Sequence, residues 1–123
     1  MKEETQRQKK INRQLQRDLG EMLQQDGSAI HPGVMFTVTQ VRVTADLSIA
    51  RVYLSLFPAD DPEAIVAKVN DAAGELRYNL GKRVRHQLRK VPELHFYLDD
   101  SLDYIEKIED KLNEAGYQPP FFH

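Results

Sequence analysis

The segment that decides the fold is VMFTVTQVRVTADLSIARVYLSLF, residues 34–57. Two runs rich in β-branched and aromatic residues flank a short polar link at 44–46, which predicts a β-hairpin. In the second run, every other residue from Ala50 to Leu56 is apolar, so this strand is predicted to be half-buried. In the first run the apolar parity changes between Val38 and Val41, which predicts either a β-bulge or a strand buried on both faces.

Helical patterns lie on both sides of this hairpin. Apolar residues at 11, 15, 19, 22 and 23 predict an amphipathic helix from about Thr5 to Gln25. The segment DGSAIHPG, residues 26–33, is predicted to be a loop because it consists largely of turn-forming residues. A second helical region is expected to begin at Pro62, with Asp61 as its cap.

The second helical region contains a weak point at Ala72-Ala73-Gly74. A glycine inside a helix costs about 1 kcal/mol relative to alanine, which predicts a kink there. Apolar residues spaced four apart from Leu76 to Leu88 then predict a helix that reaches Lys90, and Pro92 ends it. A third strand follows at Leu94–Leu98.

The predicted fold class is α+β, with helices on one face of a small three-stranded sheet. We expect one domain over residues 1–123, with its core at about 5–113 and an irregular tail at 114–123. Seven acids and two lysines between 99 and 114 accompany apolar residues at helical spacing, which predicts a C-terminal acidic helix.

Basic residues concentrate in LGKRVRHQLRK, residues 80–90, although the whole chain has a formal charge of −2. On a helical wheel, Leu80, Val84 and Leu88 share one side, while the basic residues share the other. Such a face without acids normally has a polyanionic partner, and phosphates of nucleic acid fit it best. A membrane is disfavoured because the apolar side is expected to pack on the hairpin. The predicted phosphate contacts are Lys82, Arg83, Arg85, Arg89 and Lys90.

Further basic residues form a second rank of candidate nucleic-acid contacts. Arg13 and Arg17 share a stripe of the first helix, where a merely solvated face is an equal alternative. Arg42 and Arg51 are predicted on the polar face of the hairpin with Tyr53, which either stacks on a base or simply covers the sheet. Arg77 falls outside the basic arc of the wheel and completes this second rank.

Catalytic and metal-binding patterns are not evident in the sequence. The chain has no cysteine, no Gly-rich phosphate loop and no nucleophile motif, and its four histidines lack ligand spacing. The C-terminal acids lack the spacing of a calcium loop and are interpreted as helix-capping and solvated residues. We therefore expect a cytoplasmic, non-enzymatic protein without metal, cofactor, small-molecule substrate or membrane anchor.

Two long strings together resemble the ribosome-binding factor A family. They are VTQVRVTADLSIARVYLS and AAGELRYNLGKRVRHQLRKVPELHFYLDDSLDYIEKIEDKL, and with the first helix they cover nearly all of residues 5–113. The resemblance implies a type II K-homology fold in the order α-β-β-α-kink-α-β. Single-strand-binding K-homology domains use a GxxG loop. This chain has none, and its Ala72, Ala73 and Gly74 match the kink that replaces the loop in this family.

The same resemblance implies a partner and a role. The expected partner is the immature small ribosomal subunit and its rRNA, bound by a monomer during late subunit maturation and rRNA processing, especially in the cold. Two alternatives stay open on the sequence alone. One is a protein–protein adaptor whose basic helix docks on an acidic partner, and the other is a free-standing binder of single-stranded RNA.

Overall fold

In the computed structural model, residues 4–99 are described. Their helices and strands follow the predicted order: α1 (Gln6–Ile30), β1 (Met35–Val43), β2 (Ile49–Phe57), α2 (Pro62–Asp71), α3 (Ala73–Val84) and β3 (Glu93–Leu98). The sheet order is β1-β2-β3, with β1 antiparallel and β3 parallel to the central β2. This arrangement confirms the predicted α+β class. The predicted acidic helix and the tail lie outside the described residues.

The hairpin contains the predicted irregularity. The β1–β2 register shifts between Val38 and Gln40, which is a β-bulge. Because of the shift, the two apolar pairs of opposite sequence parity, Phe36 with Val38 and Val41 with Val43, are buried on the same face. The bulge alternative is therefore correct, and β1 has only one buried face.

Helix α1 is longer than predicted. It starts with a capping box between Thr5 and Gln8 and continues to Ile30, so the prediction of a loop is wrong for residues 26–30. The reason is tertiary packing. Gly27 continues the buried stripe of Leu19 and Leu23 and lies directly against the ring of Phe36. A Cβ on Gly27 would lie 2.6 Å from that ring, so the glycine permits a close approach of helix to strand.

Side-chain amides of α1 cover the open edge of β1. The carbonyl of Val43 accepts from Gln8 Nε2 at 3.2 Å, and its N–H donates to Asn12 Oδ1 at 2.9 Å. Gln16 Nε2 donates to the two carbonyls at the bulge, at 3.3 Å each. The three amides recur every four residues, on the same side of the helix as its apolar stripe, and they satisfy backbone groups that an edge strand otherwise leaves open.

One amide does the same for the other edge strand. Asn70, at the end of α2, donates Nδ2 to the Phe96 carbonyl at 2.9 Å and accepts from the Phe96 N–H at 2.8 Å. These two hydrogen bonds replace those that one residue of an additional strand would form with Phe96. It attaches the end of α2 to the middle of β3.

The predicted helix through Lys90 is wrong beyond Val84. Helix α3 ends there, and Gln87 and Leu88 donate their N–H groups to the Val84 carbonyl in a closing turn. The chain then reverses so that Pro92 is buried and β3 can start beside β2. This reversal overrides the four-residue apolar spacing, because Leu88 reaches the core from the turn.

The hairpin turn is organised around Asp46. Its Oδ1 accepts from the hydroxyls of Thr44 and Ser48, both at 2.7 Å, and from the Ser48 N–H at 3.1 Å. These bonds favour the charged carboxylate and lower the pKa of Asp46 to about 2 from its ordinary value of 3.8, with the Thr44 hydroxyl as the largest cause. The turn also holds Leu47 at a φ of 61°, a left-handed conformation unusual for this residue.

Replacing Gly27 by alanine tests the contact with Phe36. We expect Gly27→Ala to lower the free energy of unfolding by about 1–2 kcal/mol, because overpacking a buried ring outweighs the gain in helix propensity. The matched control is Gly20→Ala in the same helix, where a Cβ meets nothing within 4 Å. That variant should be more stable by about 0.5–1 kcal/mol. Urea unfolding measures both, and equal effects of the two substitutions would contradict the packing argument.

The lowered pKa of Asp46 predicts a pH dependence of stability. Because the folded-state pKa is depressed, the stabilisation is present above the unfolded value of 3.8 and is lost as the pH falls towards 2. The difference in urea midpoint between the wild type and Asp46→Asn should therefore be largest above pH 5 and shrink between pH 4 and 2. A difference independent of pH would show that the charged form is not preferred in the turn.

Candidate nucleic-acid interface

A one-residue interruption separates α2 from α3. Asp61 caps α2 by accepting from the Ala64 N–H at 3.2 Å, and the helix ends at Asp71. Ala72, at φ −90° and ψ 4°, breaks the helical geometry, and α3 begins at Ala73. Within the predicted kink the break thus lies at Ala72, whereas Gly74 belongs to the first turn of α3 with open space around it.

A shallow groove of about 580 Å³ lies between α3 and the chain that returns from it to β3. We call it the basic groove. Tyr78 and Gly81 form part of its surface, and five of the predicted basic residues line it: Arg77, Lys82, Arg85, Arg89 and Lys90. The turn after Val84, and not one continuous helical face, brings these residues together.

Two internal contacts shape the basic groove. The guanidinium of Arg77 donates to the Val91 carbonyl from Nε at 3.2 Å and from Nη2 at 2.8 Å, which attaches the returning chain to α3. Lys82 Nζ lies 4.5 Å from the centre of the Tyr78 ring, a cation–π contact. All five basic side chains of the groove lie at the surface, and within residues 4–99 no carboxylate forms an ion pair with any of them.

Arg83 does not belong to the basic groove, which corrects the prediction of one outward basic stripe. Its Nε lies 3.5 Å from Asp18 Oδ1, and its Nη2 contacts the carboxylate of Glu21, so it joins α3 to α1. Asp18 is buried to 8% exposure. An acid on the buried stripe of α1 is the signal that a cation from elsewhere must approach it, because an unpaired buried charge is costly.

The remaining predicted contacts lie in two other places. Arg13 and Arg17 line a separate groove between α1 and β1, which also contains Glu21. Arg42 and Arg51 are exposed on the face of the sheet opposite to the helices, where they are paired in register. With the Gln40 amide turned so that its oxygen faces Arg42, that guanidinium donates to it at 2.8 and 3.0 Å.

The same face of the sheet, opposite to α1, α2 and α3, also holds an aromatic pair. Tyr53 and Tyr97, on β2 and β3, stack with their ring centres 5.6 Å apart. Tyr53 was a candidate from the sequence, but Tyr97 was missed because its partner becomes evident only when β3 pairs with β2. His95 lies in the same strand as Tyr97, with its Nε2 3.4 Å from Glu93 Oε1.

The described residues contain neither a metal-binding cluster nor a membrane span. Between residues 4 and 99, no three His, Cys, Asp or Glu side chains are grouped so as to hold a metal ion. Over the same range, no helix combines the length and apolar character needed to cross a bilayer.

The helix order, the parallel return of β3 and the break at Ala72 are consistent with the type II K-homology order that the sequence resemblance implies. Comparison with known proteins identifies the family. Residues 7–112 match the model of the family described as ribosome-binding factor A. The chain belongs to the ribosome-binding factor A family.

Relatives and solved structures agree with this assignment. The ribosome-binding factor A of Flavobacterium psychrophilum is 47% identical over 120 residues, covering 95% of this chain and 89% of the relative. That of Christiangramia forsetii is 45% identical over 111 residues, with 89% and 85% covered. The crystal structure of ribosome-binding factor A from Thermus thermophilus has a TM-score of 0.63 and 26% identity, covering 76% of this chain and 98% of that one.

A second Thermus thermophilus structure is relevant because of its context. It is a homology model of ribosome-binding factor A fitted into a cryo-electron microscopy map of a complex with the 30S subunit. Its TM-score is 0.53 and its identity 29%, with 68% of this chain and 90% of that one covered.

The different environments of Arg83 and Arg85 predict different effects on stability. We expect Arg83→Gln to lower the free energy of unfolding by about 1–2 kcal/mol, because it leaves the carboxylate of Asp18 without its cation. Arg85→Gln should change it by less than about 0.5 kcal/mol, as is usual for an exposed side chain. Denaturant unfolding of both variants measures the difference. Equal stabilities would show that the α1–α3 ion pairs contribute nothing.

Proposed function

We propose that this protein binds the small ribosomal subunit during its late maturation, through contacts between the basic groove and phosphates of folded rRNA. The 30S complex of the Thermus thermophilus relative supports the choice of partner. The observation that carries the proposal is the basic groove itself, in which five surface cations converge without a neutralising acid among the described residues.

The geometry of the basic groove favours recognition of RNA shape over capture of a flexible strand. A K-homology domain that clamps single strands does so with a GxxG loop, and here a single residue, Ala72, occupies that place. Arg77 is held by the Val91 carbonyl and Lys82 by the Tyr78 ring, which suits phosphates held in position by a folded RNA. We therefore favour a factor that binds the small subunit over a free-standing binder of single-stranded RNA.

The proposed contacts differ from the ranking on the sequence alone. Lys82, Arg85, Arg89 and Lys90 form the first rank, and Arg77 joins them at the wall of the groove. Arg13 and Arg17 remain second-rank contacts in their separate groove. Arg83 is proposed to act through stability, by holding α3 to α1.

The proposed role is non-catalytic and requires neither a cofactor nor a small-molecule substrate. The protein would act as a monomer, in the cytoplasm, where small subunits mature. Its contribution is to occupy an rRNA surface until the subunit is complete. Assistance to rRNA processing would follow from this occupancy.

Charge reversal in the basic groove tests the proposal. Arg85→Glu/Arg89→Glu should abolish co-sedimentation with immature small subunits, because two attractive contacts become repulsive. The matched control is Arg7→Glu/Lys9→Glu on α1, which changes the net charge equally at exposed positions outside the groove. The control should bind as the wild type does. Retained binding by the groove variant, with a native circular dichroism spectrum, would refute the assignment.

The salt dependence of binding provides a second readout of the same positions. Each phosphate contact contributes about −0.7 to −0.9 to the slope of log affinity against log salt. The neutral variant Arg85→Gln/Arg89→Gln should therefore reduce the slope by about 1.4–1.8. RNase treatment of the complexes separates rRNA binding from a protein–protein adaptor: survival of the association after digestion would favour the adaptor.

A further inference from the structure

The face of the sheet on which residues 4–99 place no helix presents two rows of side chains at matching register. Across β1, β2 and β3, one row consists of Arg42, Arg51 and His95. The adjacent row consists of Gln40, Tyr53 and Tyr97. We call this set the Arg–Tyr face.

The positive row is unfavourable without a ligand. Arg42 and Arg51 are directly opposite each other in the antiparallel pair, and like charges at such positions destabilise a sheet. The carboxylates described on this face lie at the two ends of β3. Glu93 is beside His95, and Asp99 accepts a hydrogen bond from Thr39. An anion between the two arginines would remove their repulsion.

The aromatic row supplies the other half of a nucleotide site. Tyr53 and Tyr97 are stacked with an interplanar angle of 29°, and Tyr97 is 42% exposed. A stacked pair fixes the ring planes, so that the free side of the pair is a ready surface for a further ring. Unpaired bases stack on such aromatic side chains, while arginines beside them hold the backbone.

We propose that the Arg–Tyr face is a second RNA-binding surface, which binds an unpaired segment by stacking a base on the Tyr53–Tyr97 pair and pairing phosphates with Arg42 and Arg51. It differs from the basic groove in position and in chemistry. The groove offers cations for the phosphates of a folded RNA, whereas this face offers rings for exposed bases. The inference rests on the proposed RNA partner but not on the residues of the basic groove.

A fluorescence experiment tests the stacking directly. The chain has no tryptophan, so Tyr97→Trp introduces one reporter at the pair. Titration with a single-stranded RNA of about ten nucleotides should quench this reporter, because a base stacks on it. Inorganic polyphosphate of equal charge should not quench it. Equal quenching by both polyanions, or by neither, would overturn the proposal.

Aliphatic and aromatic substitutions provide the affinity test. Tyr53→Leu/Tyr97→Leu should weaken binding of the same RNA about tenfold per stacked base, with an unchanged salt slope. The matched control Tyr53→Phe/Tyr97→Phe keeps both rings and should bind as the wild type does. Arg42→Gln/Arg51→Gln should reduce the salt slope by about 1.4. Urea midpoints identify any variant that fails to fold, and if the leucine variant does so, the quenching of the Tyr97→Trp reporter by RNA decides.

The outcomes separate this inference from the proposed function. If the leucine variant binds RNA as tightly as the wild type, the Arg–Tyr face is not an RNA surface, whatever else covers it. If it binds free RNA normally but loses affinity for small subunits, the face contacts a protein and the inference is also wrong. The proposed function fails separately, when Arg85→Glu/Arg89→Glu leaves subunit binding intact.

Discussion

The structure depends on side-chain amides that close both edges of a three-stranded sheet. Gln8, Asn12 and Gln16 bond to backbone groups of three residues in β1, and Asn70 bonds to both backbone groups of Phe96 in β3. Each amide also sets the position of a helix, because the same contacts fix the helix at one register along the strand. With the end of α2 attached to Phe96, the direction of α3 is determined at Ala72, and the basic groove follows from that direction.

Local pairing of the acids explains how an acidic protein presents a positive groove. Several acids among the described residues form hydrogen bonds or ion pairs with groups outside the basic groove. Asp46 organises a turn, Asp61 caps α2, and Asp18 and Glu21 hold Arg83. Within residues 4–99, no carboxylate forms an ion pair with the cations of the groove. Net charge is therefore a poor guide to this surface, since the local pairing decides which charges a partner meets.

Local rules predicted the elements whose determinants are neighbours in sequence. The parity change between Val38 and Val41 identified the bulge, and Asp61 with Pro62 identified the start of α2. Prediction failed where distant residues decide. The turn-forming composition of 26–30 predicted a loop, but the packing of Gly27 on Phe36 keeps this segment helical. The four-residue apolar spacing through Leu88 predicted a continuous helix, although the chain reverses after Val84. The candidate site shows the same division: composition found the cations, but only the tertiary contact with α1 separated Arg83 from the others.

The single-residue break at Ala72 has a thermodynamic consequence. A clamp loop must be ordered when it closes on its ligand, and that ordering opposes binding. Here the backbone between α2 and α3 keeps its hydrogen bonds through the break, since the Ala72 N–H donates to the Lys68 and Val69 carbonyls and its carbonyl accepts from Leu76. The conformational entropy of this segment is already lost on folding. A ligand that docks beside the break thus meets a preorganised surface, and its binding free energy is not reduced by ordering the protein backbone there.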